Sequence, residues 1–278
     1  MKRVLTATLG LLAISAVPAA AADLPVKAPM AAPIMAPAFS WTGFYIGANV
    51  GGIFDASRFN IDPTGCFLTG CGAGGVGGNI QRTDSGRFGD NAAFTGGGQI
   101  GYNWQFSPQW VFGLETDLNY SGSKSSVAAS LPLTFAPGST FNYAINRKLD
   151  WFGTGRARLG WTPANQVMIY GTGGVAYGRV GSSTGVFFPT SGDTYAGSVS
   201  DVRLGWTAGG GIEWAFSQNW TAKAEYLYLD LGSTSYLDAC ISFCIGNTYT
   251  TTVRTKEHIA RFGINYLFNA SGPVVARY

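Results

Sequence analysis

Residues 110–120 read WVFGLETDLNY. Phe112, Leu114, Leu118 and Tyr120 share one parity, and Glu115, Asp117 and Asn119 share the other. Successive side chains of a β-strand point to opposite faces, so this run has one apolar side and one charged side. The same segregation recurs along the chain. In 258–268, Phe262, Ile264, Tyr266 and Phe268 oppose Arg261 and Asn265; in 149–161, Trp151, Ala157, Leu159 and Trp161 oppose Arg156 and Arg158. Leu204, Trp206, Ile212 and Trp214 oppose Arg203 and Glu213, while Trp220, Tyr226 and Tyr228 oppose Lys223 and Glu225. Arg179 and Asp230 break the rule at the loop ends of their strands. A charge at the midplane of a lipid-facing wall costs about 2–4 kcal/mol. An apolar face kept this free of charge therefore meets lipid, and the charged face lines an interior. A soluble ligand-carrying barrel, apolar inside, has the opposite arrangement.

Eight stretches carry this period: 41–54, 92–106, 110–120, 149–161, 167–180, 203–216, 220–231 and 258–268. Each approximates the 9–11 residues a tilted strand needs to cross a bilayer. Three connections are tight polar turns at 107–109, 162–166 and 217–219; the other four run to roughly 20–35 residues rich in Gly, Ser, Thr and Asn. Short turns alternating with long loops is the layout of outer-membrane barrels. An internal echo supports it, since WQFSPQW at 104–110 recurs as WAFSQNW at 214–220. The expected fold is all-β: an eight-stranded antiparallel up-and-down transmembrane β-barrel with four long external loops, three short periplasmic turns and both termini in the periplasm.

The flanks point to export. Met1-Lys2-Arg3, an apolar run over 4–17, and Ala20-Ala21-Ala22 before Asp23 have the layout of a cleavable signal peptide, residues 1–22. Residues 23–39 are rich in Pro and Ala and read as an extended periplasmic lead-in. The barrel occupies 40–268 and a tail 269–278. With 12% charged residues, 14% aromatic residues and 40 Gly, the composition suits a lipid-facing wall. A net charge of +3 with scattered basic residues excludes nucleic acid as the expected partner. Cys66/Cys71 and Cys240/Cys244 form two close pairs, disulfide candidates in an exported chain. Loose metal-ligand spacing is the competing reading, disfavoured by a single His.

Trp41, Trp104, Trp110, Trp161, Trp214 and Trp220 stand at turn-side strand ends and are expected to form an aromatic girdle at the periplasmic interface. Glu115, Asp117, Arg156, Arg158, Glu213, Lys223, Glu225 and Arg261 have lumen parity. Counting from the turns pairs Glu213 with Lys223, Glu115 with Arg156 and Glu225 with Arg261. Unpaired buried charge is costly, so an interior of this kind is a filled one.

Residues 41–52, WTGFYIGANVGG, following AADLP at 21–25, resemble the opening strand of the small outer-membrane β-barrels of alphaproteobacteria. Members are often labelled outer-membrane immunogenic or porin-family proteins and are similar to the OmpA transmembrane barrel. RFGINYLF at 261–268 resembles their last strand, and GPVVARY at 272–278 resembles the tail of rhizobial members. The resemblance implies a Gram-negative outer-membrane location, contact with lipopolysaccharide, and insertion by the barrel-assembly machinery. That machinery reads a terminal aromatic residue, and both Phe268 and Tyr278 are open to that role.

Catalytic motifs do not assemble. Gly171-Thr-Gly-Gly-Val-Ala176 imitates a dinucleotide fingerprint, but strand alternation continues through it where a helix would have to begin. His258 and Glu257 are neighbours on one strand and face opposite ways. Similarity to lipid A deacylases requires a Ser where Ala260 stands. No enzyme activity, cofactor or metal is expected. The expected function is a structural and surface-interaction barrel whose loops meet host or surface ligands. The alternative is a narrow porin-like channel, resting on interior-parity Gly205, Gly209 and Gly211, which leave space.

Overall fold

The computed structural model describes residues 39–65, 84–89, 91–133, 138–242 and 247–268. Among them lie eleven strands: β1 (Gly43–Asp55), β2 (Arg58–Gly65), β3 (Asp84–Arg87), β4 (Ala92–Ser107), β5 (Trp110–Ser121), β6 (Lys124–Pro132), β7 (Thr140–Ala164), β8 (Val167–Phe187), β9 (Thr194–Ala215), β10 (Trp220–Ser242) and β11 (Asn247–Phe268). Eight of them, β1-β4-β5-β7-β8-β9-β10-β11, pair antiparallel in that order. The ring closes where β11 meets β1 in unbroken register from Phe44↔Phe268 to Asp55↔Glu257. The expected eight-stranded barrel is therefore the observed one, and closure leaves this ring without a free edge. The expected signal peptide, residues 23–38 of the expected lead-in, Cys66, Cys71, Cys244 and residues 269–278 lie outside the described residues. Cys240 is disulfide-bonded.

From Trp110 to Tyr120 on β5 the outer wall is apolar. Ten steps of about 3.4 Å, tilted by about 40°, rise roughly 25 Å, the height of a barrel's apolar band. Tyr120 stands opposite Trp151, and Trp110 opposite Trp161, so β7 carries the same two ranks.

The barrel does not end at the upper rank. β7 to β11 continue well past it, and the four external connections contain paired strand along much of their length. β2 lies against the upper part of β11, β3 against β2, and β6 against the upper part of β7. In this extension the polarity of the wall inverts. Phe141, Tyr143 and Ile145 point inward and are buried, while the alternate residues Asn142, Ala144 and Asn146 face outward. Water replaces lipid outside, so the hydrophobic effect now favours apolar side chains inside. The result is an aromatic core of Phe59, Phe88, Phe141, Phe188, Tyr195 and Tyr249.

Two register shifts adjust the strands near this transition. One lies between Leu149 and Trp151 on β7, the other between Asp230 and Ser233 on β10. An extra residue reverses which parity faces inward. At the second, Gly232 has φ +74°, a backbone conformation open mainly to glycine.

Candidate functional site

The lumen is filled in layers that follow one another along every long strand. Nearest the turns, Trp41, Val111, Met168, Tyr170 and Ala215 form a small apolar plug. Trp41 thus departs from the expected girdle: it is fully buried, because it shares the inward parity of Tyr45. The other five tryptophans, Trp104, Trp110, Trp161, Trp214 and Trp220, face outward and are 42–57% exposed.

Above the plug lies a layer of four carboxylates and four cations, all buried: Glu115, Asp117, Glu213 and Glu225 with Arg156, Arg158, Lys223 and Arg261. Formal charge cancels within it. Arg156 donates to Glu115, to Asp117 at 3.1 Å and to Glu225 at 2.9 Å. Arg261 donates to Glu225 and Asp117, each at 2.8 Å. Glu115 stands opposite Arg156, and Glu225 opposite Arg261, in the ladders.

Glu213 and Lys223 also stand opposite each other, yet they take other partners. Lys223 crosses the lumen to Glu115 at 2.8 Å, and Arg158 reaches Glu213 at 3.0 Å. The longer reach has a physical cause. Glu115 on β5 already holds one Arg and the Tyr45 hydroxyl, 2.8 Å away, and Lys223 adds a second full charge there. Glu213 meanwhile receives Thr221 and Asn265 beside Arg158. The Lys223–Glu115 contact joins β10 to β5, four places away in the ring of eight, so it braces the ring across its diameter, while Arg158–Glu213 bridges β7 and β9 over β8.

Tyr45 and Tyr170 complete this layer, and their roles were not anticipated from the sequence. The Arg158 guanidinium lies 4.7 Å from the Tyr45 ring centre and 5.4 Å from that of Tyr170, a cation–π arrangement. Room for the two rings comes from glycines. A Cβ at Gly101 would sit 2.3 Å from the Tyr45 hydroxyl, and one at Gly211 2.8 Å from that of Tyr170. Similarly, Leu227 packs over Gly209. The space at Gly209 and Gly211 is thus occupied by neighbouring side chains, and at Gly205 the backbone of β10 at Asp230 stands where a Cβ would go.

A third layer is apolar: Ile53, Leu149, Phe152, Val180, Leu227, Leu229 and Ile259, among others. Beyond it a second ionic cluster spans the lumen. Arg147 on β7 pairs with Asp55 on β1 at 2.9 Å and with Glu257 on β11; Ser123 donates to Glu257 at 3.0 Å, and Ser125 to Asp55. Sequence reasoning missed this cluster. The β7 register shift places Arg147 on odd parity, whereas Arg156 and Arg158 are even, so one alternation could not connect them. From the sequence alone, Glu257 stands out only as the neighbour of His258.

His258 faces the outer wall, its Nδ1 2.5 Å from the Tyr226 hydroxyl. Its neighbour Glu257 is buried on the other side. Among the described residues no cluster of three or more His, Cys, Asp or Glu is placed to hold a metal ion.

The profile of the outer membrane protein β-barrel domain matches residues 8–268. The chain belongs to this family. Among its relatives, a 31 kDa outer-membrane immunogenic protein of Brucella melitensis is 38% identical over 272 residues, 96% of this chain and 100% of the relative. A 22 kDa outer membrane protein of Rhizobium leguminosarum is 33% identical, covering 72% of this chain and 69% of the relative. The crystal structure of the outer membrane protein OprG from Pseudomonas aeruginosa aligns over 84% of this chain and 100% of its own, at 14% identity and a TM-score of 0.44. This member of the outer-membrane barrel family resides in the Gram-negative outer membrane, with its apolar band in lipid.

Proposed function

We propose that this barrel is a closed one. On this reading it anchors a folded β-extension at the cell surface, strengthens the envelope, and does not conduct solutes. The leader at 1–22 directs its export, and the barrel-assembly machinery inserts it. The single observation that carries the reading is the succession of layers across the lumen. Plug, ion network, apolar layer, second ion cluster and aromatic core follow each other with buried side chains at every level. An eight-stranded wall encloses little more than its own side chains. Threading a solute past the Arg156 layer would separate buried charges from their partners, at a cost of several kcal/mol per charge. The surface role follows from the extension, which is packed around an aromatic core and so displays its outer face in a fixed shape.

The test is osmotic swelling of phosphatidylcholine liposomes containing the purified folded protein. Arabinose should enter no faster than into protein-free liposomes. Swelling proportional to the amount of protein would overturn the reading and favour the narrow channel.

A further inference from the structure

On the outer face, just above the lipid band, β6, β7, β8 and β9 form a groove of about 630 Å³. Lys124 stands directly opposite Lys148 in the β6–β7 ladder. Ser126 and Asn146 form the next outward pair; Ser183 faces Asn146 on one side and Ser198 on the other. The stem of Lys148 lies over Gly181, where a Cβ would meet it at 2.7 Å.

Two like charges directly opposite on one sheet face destabilise the pairing. Lys148 has a partial counter-charge in Asp150, 3.3 Å away, which also approaches Arg179 at 3.9 Å. Lys124 has no ion-pair partner among the described residues. The groove therefore holds excess positive charge, with uncommitted hydroxyl and amide groups beside it.

Its height identifies what fills it. Lys124 lies four residues beyond Tyr120, and Lys148 three residues beyond Trp151, in the upper aromatic rank. Along tilted strands that is roughly 8–10 Å above the hydrocarbon. A bilayer's headgroup region extends about 5–8 Å beyond its core on each side, so these backbone positions stand at its outer edge and the long lysine stems bring their ammonium groups within it. We infer that the Lys124–Lys148 groove binds the phosphorylated sugar headgroup of an outer-leaflet glycolipid. The phosphate sits between the two ammonium groups, and the sugar hydroxyls meet Ser126, Asn146, Ser183 and Ser198. This inference rests on the proposed surface-anchoring role and gives it a lipid partner.

The test is calorimetric titration of the folded protein, in non-ionic detergent at low salt, with diphosphoryl lipid A. Lys124→Gln/Lys148→Gln should bind about 10–30-fold more weakly, the worth of two lysines beside an anionic headgroup. Lipid A stripped of its phosphates should show a similar loss against the unaltered protein. Lys256→Gln, on the outer wall of β11, should bind as the unaltered protein does. Inorganic phosphate at millimolar concentration should not displace the lipid. Heat-modifiable gel mobility verifies that each variant is folded. Unchanged binding by the double variant would overturn the inference, leaving the lysines as guards of the β6 edge. Equal binding of stripped lipid A, or ready displacement by inorganic phosphate, would overturn it too. Liposome swelling by the same preparations judges the closed-barrel reading separately.

Discussion

Replacing Arg156 by Met removes one of the two cations, with Arg261, that contact Glu115, Asp117 and Glu225 together. Met keeps most of the unbranched stem, so packing changes little while the charge disappears. Glu115, Asp117 and Glu225 are then left chiefly with Lys223 and Arg261, three anions against two cations, because Arg158 lies closer to Glu213, at 3.0 Å, than to Glu115, at 3.7 Å. Breaking a buried ion pair by removing one partner costs about 3–5 kcal/mol, chiefly for the stranded charge. Adding Glu115→Gln restores the balance at two and two. Of the loss, at least about 1 kcal/mol should return as coupling between the two sites, since they share hydrogen bonds. Urea unfolding and refolding in phosphatidylcholine vesicles, followed by tryptophan fluorescence and heat-modifiable mobility, measures both effects. A single variant within about 1 kcal/mol of the parent would refute the reasoning, as would losses that simply add in the double variant.

Three further predictions address other levels of the structure. Leu114→Arg puts a charge near the middle of the lipid-facing wall, where Leu114 is 57% exposed, and should cost about 2–4 kcal/mol in the same unfolding assay. Gly101→Val forces a side chain against Tyr45 and the Leu114 carbonyl, 2.5 Å from the new Cβ; overpacking of this kind costs about 1–3 kcal/mol. Tyr45→Ala in the same chain should recover part of that loss, since it removes one of the two clashes. Asp238 lies in the external extension, with Thr251 donating to one carboxylate oxygen, and burial raises its pKa from 3.8 to about 6. A carboxyl with a raised folded pKa favours the protonated folded state, so this contribution is complete below pH 4 and is lost as pH rises through 6. Hydrogen exchange of β10 and β11 amides above the lipid band should therefore accelerate from pH 4 to pH 7 beyond the intrinsic rate, and Asp238→Asn should remove that excess.

The sequence was legible wherever one alternation ran unbroken between lipid and lumen. β5 and β11 show it: Glu115, Asp117 and Arg261 were placed inside because each neighbours lipid-facing residues at fixed parity. Partner choice was harder to read. Adjacent-strand counting finds Glu115 and Arg156, but Lys223 reaches Glu115 across the ring, and no local spacing encodes a contact over 108 residues. The external extension was obscured by a change of solvent. Residues 140–148 alternate as regularly as 110–120, but with polar side chains outward, and a reading tuned to lipid took them for loop. Trp41 was misplaced by position alone, since it sits at a turn-side end like the outward tryptophans while its parity points inward.

The central claim, a lumen closed by buried side chains at every level, is tested most directly by single-channel recording of the folded protein in a planar phosphatidylcholine bilayer. The unaltered chain should insert without conductance steps, and Arg156→Met should produce only brief, irregular openings. Stable, uniform steps from the unaltered protein would contradict the account.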